Sequence, residues 1–222
     1  MRNVKLSPSM MCADFLVIKQ ELDIFQQKGI ELLHIDIMDG HYVPNYTLGI
    51  DFCKSLNKYS SIPLDIHLMI DNVDQYIESF CQFEGSWVCF HPETTWHPVR
   101  TIETIKKNNC RAGIALDSSV SVSQFEELYK LVDFVLIMTV TPGYAGQKLL
   151  PFCMDKISQL KDYFEKHNID ADIEVDGNVS WENIPAMIQA GANVLVAGSS
   201  SIFDSKFSRA DAIDKANQMT AN

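Results

Sequence analysis

The chain has 222 residues, 46% of them apolar and 21% charged, and a formal net charge of -11. That length can bury a large core, and the acid excess argues against nucleic acid or an anionic membrane as partner while leaving room for a small anion held on backbone amides. Six cysteines without Cys-x-x-Cys spacing read as reduced core thiols rather than a zinc ribbon, and no stretch has signal or transmembrane length, so a soluble, untargeted cytoplasmic protein is expected.

No linker or low-complexity tract divides the chain, which predicts one domain over residues 1-222. Val4 to Met10 reads as a strand, and Asp14 as the cap of a helix through about Lys28 with Phe15, Ile18, Leu22 and Phe25 on one face. The alternation then repeats: strand 31-38 with helix 50-57, strand 64-69 with helix 73-83, strand 87-91 with helix 98-108 and strand 112-116 with helix 122-129. Strand 134-140 with helix 152-166, strand 173-175 with helix 181-190 and strand 194-196 with helix 208-219 complete the set. Eight such units predict a (β/α)₈ barrel, shorter than the usual ~250 residues. A doubly wound open sheet would carry a Gly-x-Gly-x-x-Gly turn after its first strand, and Ser7-Pro8-Ser9 is no such turn.

In a barrel the carboxyl ends of the strands converge, and parallel α/β proteins keep their chemistry there. Those ends carry Ser9, His34 with Asp36, His67, His91, Asp117, Thr139 with Thr141, Asp176, and Gly198-Ser199. His34, Asp36 and Met38 share one face of their strand, as do Asp65, His67 and Met69, and Asp172, Glu174 and Asp176. Imidazoles and carboxylates are the ligands borderline divalent cations prefer, so His34, Asp36, His67 and Asp176 could hold one metal with an open side toward a substrate. A hydrogen-bonded network without metal is the other reading of the same residues. Met38, Met69 and Met138 sit near the strand ends as core filler or as an apolar wall of the pocket.

Glycine marks the last three turns: Thr141-Pro-Gly-Tyr-Ala-Gly-Gln147, Asp176-Gly-Asn178 and Ala197-Gly-Ser-Ser-Ser201. Barrels commonly seat a phosphate group on backbone amides at this position, where glycine permits close approach, so a phosphorylated ligand is expected.

Together, His-Ile-Asp-Ile-Met-Asp-Gly-His-Tyr-Val-Pro-Asn, Asp-Ile-His-Leu-Met, Ile-Met-Thr-Val-x-Pro-Gly-x-x-Gly-Gln, Glu-Val-Asp-Gly and Ala-Gly-Ser-Ser resemble the signatures of the ribulose-phosphate 3-epimerase family, in order, from Ser7 to Phe203. The resemblance implies a (β/α)₈ barrel that epimerises a phosphorylated ketose at C3 through an enediolate. It implies one divalent metal per chain (Zn2+, Fe2+, Mn2+ or Co2+) on His34, Asp36, His67 and Asp176, with Asp36 and Asp176 as acid and base and no organic cofactor. Ser9 and His67 would contact the substrate; Gly143, Tyr144, Ala145, Gly146, Gly177, Asn178, Gly198 and Ser199 would surround its phosphate. A homo-oligomer, dimer or hexamer, is implied as well. The chain departs from the commoner family pattern at Thr141, at Asn178 and in Phe-His-Pro-Glu-Thr. His91-Pro92-Glu93-Thr94 with Ser9-Met10-Met11-Cys12 is more similar to the subgroup acting on D-allulose 6-phosphate. A related decarboxylase or aldolase would show a lysine at a strand end, and none stands there; a non-catalytic sugar-phosphate-binding barrel would have lost one of the two aspartates.

Overall fold

In the computed structural model, which describes residues 3-221, the apolar runs form one curled sheet of nine strands. These are β1 (Lys5–Pro8), β2 (Leu33–Asp39), β3 (Tyr46–Thr47), β4 (Leu64–Met69), β5 (Trp87–Phe90), β6 (Arg111–Leu116), β7 (Phe134–Met138), β8 (Asp172–Asp176) and β9 (Val194–Ala197). The order is β1-β9-β8-β7-β6-β5-β4-β2-β3, parallel throughout except for β3, which turns back antiparallel on β2. A parallel bridge between Ser9 and His34 joins the ends of the eight parallel strands, so the sheet closes as a TIM-type barrel in a single α/β domain.

Helices α1 (Ile18–Gln27), α2 (Ile50–Tyr59), α3 (Ile77–Phe80), α4 (Pro98–Lys107), α5 (Phe152–His167), α6 (Ile184–Ala190) and α7 (Arg209–Thr220) form the outer layer. Local chemistry sets several of their ends. Pro98 opens α4, where its missing N–H costs nothing, and Ser208 caps α7 by accepting from the Asp211 N–H at 3.2 Å. Asn168 ends α5 in the left-handed conformation, φ 53°.

Period-two alternation divides the core into two shells. Outward faces of the strands, such as Ile35, Ile66, Val88, Ile114, Val135 and Leu195, pack with the helices in the main cluster. Inward residues, among them Trp87, Cys89, Ala115, Phe134, Leu136, Val194 and Val196, fill the barrel lumen. Gly113 belongs to this lumen: a Cβ there would lie 2.4 Å from Cζ of Phe134, so the missing side chain is what admits the ring, which packs 4.8 Å from the Trp87 ring.

Several expected helices are shorter than their sequence pattern suggests. The segment after β6 is a 3₁₀ stretch, Val122–Leu128, interrupted at Phe125, and residues 73-83 hold a 3₁₀ turn at Val73–Gln75 and then the single-turn α3. Asp14 is not a helix cap: its carboxylate accepts from the Leu16 N–H at 3.0 Å in a local turn, and α1 starts only at Ile18. Phe15 therefore precedes the helix and lies 54% exposed, in tilted contact with Phe52.

Candidate active site

The three-strand register that sequence periodicity requires brings two imidazoles and two carboxylates into the carboxyl end of the lumen. On β2 and β4, His34 pairs with Asp65, Asp36 with His67 and Met38 with Met69, so acid and imidazole alternate across the strand boundary. Asp176 ends β8, which reaches β2 through β9 and β1. His34, Asp36, His67 and Asp176 each offer a ligand atom, and these atoms lie within 4.8 Å of one another.

Hydrogen bonds from neighbouring strands and turns fix three of the four. Asp65 Oδ2 lies 2.7 Å from His34 Nδ1 and accepts from the Ser7 hydroxyl at 2.7 Å, which fixes a hydrogen on Nδ1 and turns Nε2 toward the mouth. Asp36 accepts from Ser9 Oγ at 3.1 Å, faces His67 Nδ1 at 3.3 Å, and has its backbone carbonyl tied by Thr47 Oγ1 at 2.6 Å. Thr139 Oγ1 donates to the carbonyl oxygens of Asp176 and Gly177, so the end of β8 is anchored to β7.

The donor set fits a divalent ion on one decisive observation. His34 Nε2 is completely buried, lies 3.3 Å from Asp36 Oδ1, and still lacks the alignment of a hydrogen bond to any partner. A buried, unpartnered imidazole nitrogen beside a carboxylate is what a metal centre supplies with a partner. His67 is suited in the same way: burial lowers its pKa to about 4, which keeps the ring neutral.

Electrostatics divide the two aspartates. Burial raises both, but at Asp36 the His34 and His67 imidazoles outweigh it and hold the carboxyl well below its usual range. At Asp176 burial and the nearby Asp36 charge act together and push it up to about 7. Two carboxyl groups of one pocket thus prefer opposite protonation states, the arrangement from which acid and base roles arise. Beneath them burial, with Asp65 second, also pushes the buried Glu174 carboxyl far up, while in the metal-free chain Asp65 and Asp36 favour a second proton on His34 against burial, one that a bound cation would replace on Nε2.

Above the four residues opens a pocket lined by Ser9, Asp36 and Asp176, by Met38, Met69 and Met138, and by the three glycine turns. Gly143, Tyr144, Ala145, Gly146, Gly177, Asn178, Gly198 and Ser199 all border it. Gly177 has φ +115° and a Cβ on it would meet the Val140 backbone nitrogen at 2.8 Å, so the turn after β8 accepts glycine alone. Asn178 takes the next position at φ 47°, a conformation asparagine tolerates, and its amide donates to the Gln147 carbonyl at 2.7 Å. Two contacts join the loops over the mouth: Asn45 Nδ2 to the Gly143 carbonyl at 2.7 Å and Tyr144 Oη to the Pro44 carbonyl at 2.6 Å.

A match to the ribulose-phosphate 3 epimerase family runs over residues 5-203. The chain belongs to this family. Among the relatives of this epimerase family, the ribulose-phosphate 3-epimerase of Bacillus subtilis (strain 168) is 40% identical over 197 residues, 88% of this chain and 91% of that protein. That of Aquifex aeolicus (strain VF5) is 37% identical over 201 residues, 90% of each, and that of Escherichia coli (strain K12) is 36% identical over 205 residues, 92% and 91%. A mutant tryptophan synthase alpha-subunit from Pyrococcus furiosus superposes with a TM-score of 0.67 over 100% of both chains at 13% identity, a likeness of fold alone.

Sequence reasoning gave no role to Asp65, Glu174 or Cys12, although strand periodicity already put the first two on the lumen face. Cys12 borders the pocket beside Gly198, and burial raises its pKa. Asp117 is used otherwise, accepting from the Ser119 N–H and hydroxyl at 2.7 and 2.6 Å.

Proposed function

We propose that the protein is a divalent-metal-dependent 3-epimerase of a phosphorylated ketose, with the D-ribulose 5-phosphate and D-xylulose 5-phosphate pair as its substrates. The observation that carries this reading is the pair Asp36 and Asp176: two carboxyl groups at the ends of well-separated strands, of opposite protonation preference, beside one pocket. Inverting a carbon next to a ketone requires a proton to leave one face and another to arrive on the opposite face, so each carboxyl serves one face. One of the two carboxylates accepts the C3 proton, the other carboxyl delivers one to the opposite face, and the reverse reaction exchanges the roles. His34 Nε2, His67 Nδ1 and the two carboxylates would hold the metal. When bound, the ion supplies Lewis-acid stabilisation of the negative charge on the substrate oxygens in the enediolate. Met38, Met69 and Met138 keep water from the reacting carbon and strengthen the local field. Amides of the glycine turns, with Ser199, receive the phosphate and so orient C3 between the carboxylates.

The names of the relatives favour the pentulose phosphate. The hexulose alternative, D-allulose 6-phosphate, rests on two motifs that differ in reach: Met11 and Cys12 border the pocket, whereas His91 and Thr94 are buried and do not line it. Turnover of D-ribulose 5-phosphate and D-allulose 6-phosphate side by side is the test. A larger kcat/KM for the pentulose is expected, and turnover of neither sugar overturns the epimerase reading. The reading extends to a homo-oligomer, checked by light scattering, in the cytoplasm, checked by cell fractionation.

A further inference from the structure

His67 turns Nδ1 toward Asp36, but its other nitrogen also has a partner: Nε2 lies 2.9 Å from Nε2 of His91. Both rings are fully buried and tilted together with centroids 5.1 Å apart. Two imidazole nitrogens at that distance share one hydrogen, so the tautomer of either ring dictates that of the other. On the far side of His91, Nδ1 has no hydrogen-bond partner at close range and faces Glu93 Oε1 at 3.6 Å. Glu93 Oε1 in turn accepts from the Tyr42 hydroxyl at 2.9 Å, and the Tyr42 ring lies against His91 with centroids 4.7 Å apart.

Of the two orderings open to these groups, the charge of Glu93 beside His91 Nδ1 favours one. A carboxylate only accepts, so Glu93 favours hydrogen on His91 Nδ1 and leaves His91 Nε2 with its lone pair. That lone pair favours hydrogen on His67 Nε2. His67 Nδ1 then presents a bare lone pair among His34, Asp36 and Asp176. We propose that His91, backed by Glu93, is a positioning residue that selects the metal-ligating tautomer of His67. It touches neither substrate nor metal. The assignment rests on the metal reading above, because a metal-free network would also accept the opposite tautomer, with His67 Nδ1–H donating to Asp36.

Zn2+ affinity measured by chelator competition, with long-range 15N NMR of the imidazoles in the Zn2+-loaded protein, tests it. His91→Leu removes the acceptor and should weaken Zn2+ binding about tenfold or more, as loss of outer partners of ligating histidines does. His91→Gln, whose amide oxygen can occupy the place of Nε2, should recover affinity to within about threefold of the parent. In the parent, NMR should find hydrogen on His91 Nδ1 and on His67 Nε2. Circular dichroism confirms folding, and Glu93→Gln, at a partly exposed position, substitutes if His91→Leu does not fold: it should also weaken Zn2+ binding and mix the His91 tautomers. A folded His91→Leu protein, or in its place Glu93→Gln, that binds Zn2+ as tightly as the parent overturns the inference, and so does hydrogen on His91 Nε2 or a His91→Gln variant as weak as His91→Leu. A parent that takes up no Zn2+ overturns the metal reading and this inference with it.

Discussion

The two ends of the barrel are both polar and use their polar groups in opposite ways. At the amino end Asp172 accepts from Lys5 Nζ at 3.3 Å, Arg111 Nη2 at 3.0 Å and Asn193 Nδ2 at 2.6 Å, while Asn193 Oδ1 accepts from the Ile173 N–H at 2.7 Å. Arg111 and Lys5 also sit over the Trp87 ring, 4.1 and 5.4 Å from its centroid. At the carboxyl end, His34 Nε2 is buried beside Asp36 without a hydrogen-bond partner. Matched donors and acceptors close the floor of the barrel; the unmatched nitrogen at the mouth is left for a partner the chain does not itself provide. On the proposed function, stability and chemistry occupy opposite ends of the same strands, and perturbations should separate them.

The largest effect belongs to the mouth. Asp36→Asn and Asp176→Asn should each lower net epimerisation by about a hundredfold or more, because neither amide can carry a proton between faces. NMR in heavy water adds resolution: one variant should still exchange the C3 hydrogen with solvent, since its surviving carboxylate can remove a proton and return it to the same face. A variant that keeps bound metal and epimerises near the parent rate would reduce that aspartate to a ligand. Gly177→Ala comes next. With φ +115° and Val140 in the way, the added Cβ should displace the turn, lowering kcat/KM by about tenfold to a hundredfold and stability by about 1–3 kcal/mol.

Metal and pH give a third test. Because Asp176 titrates at about 7 in the folded chain against about 4 unfolded, folding takes up a proton between those values, and its contribution to the stability of metal-free protein falls as pH rises through them. A cation on one Asp176 oxygen would disfavour that proton without removing it from the catalytic cycle, so the gain in Tm on adding Zn2+ should grow with pH over the same interval. Thermal scans with chelator and with Zn2+ across pH 4 to 8 read both; a metal-induced gain that is flat in pH would remove Asp176 from the ligand set.

At the floor, Asp172→Asn should leave kcat/KM unchanged and cost about 1–2 kcal/mol, since Lys5 and Arg111 are partly solvated, which lowers Tm by roughly 2–8 °C. A kinetic defect there would break the division between the ends. The smallest effect is expected outside the barrel: Lys28→Ala removes an exposed pair with Asp214 at 2.6 Å and should change stability by less than about 1 kcal/mol in urea titration.

How far the sequence could be read follows the same division. Strand faces were legible because period two needs no knowledge of neighbours, and so the lumen placement of His34, Asp36, His67 and Asp176 followed from spacing alone. The glycine turns were legible as turns. What depends on three-dimensional proximity was not. His67 stands opposite Cys89 in the β4-β5 register, and nothing in Phe90-His91-Pro92 announces that the next lumen residue leans back onto the His67 ring. Residues 122-128 have a helical pattern of apolar positions, yet Tyr129 donates its hydroxyl to the Val122 carbonyl at 2.6 Å, a tertiary contact that accompanies the tighter 3₁₀ path. Phe15 was placed on the core face by a period that begins only three residues later.

The contact between Gly113 and Phe134 bears on how this barrel can vary over generations. Because a methyl group at 113 would overlap the ring, the two positions constitute one locus, and the order of change is prescribed. Gly113→Ala should be tolerated only in a background that already carries a smaller residue such as Phe134→Leu, whereas Phe134→Leu can arise first and leave a void that the second change then fills. A library randomised at both positions together should return compensated pairs that a scan of single substitutions would discard.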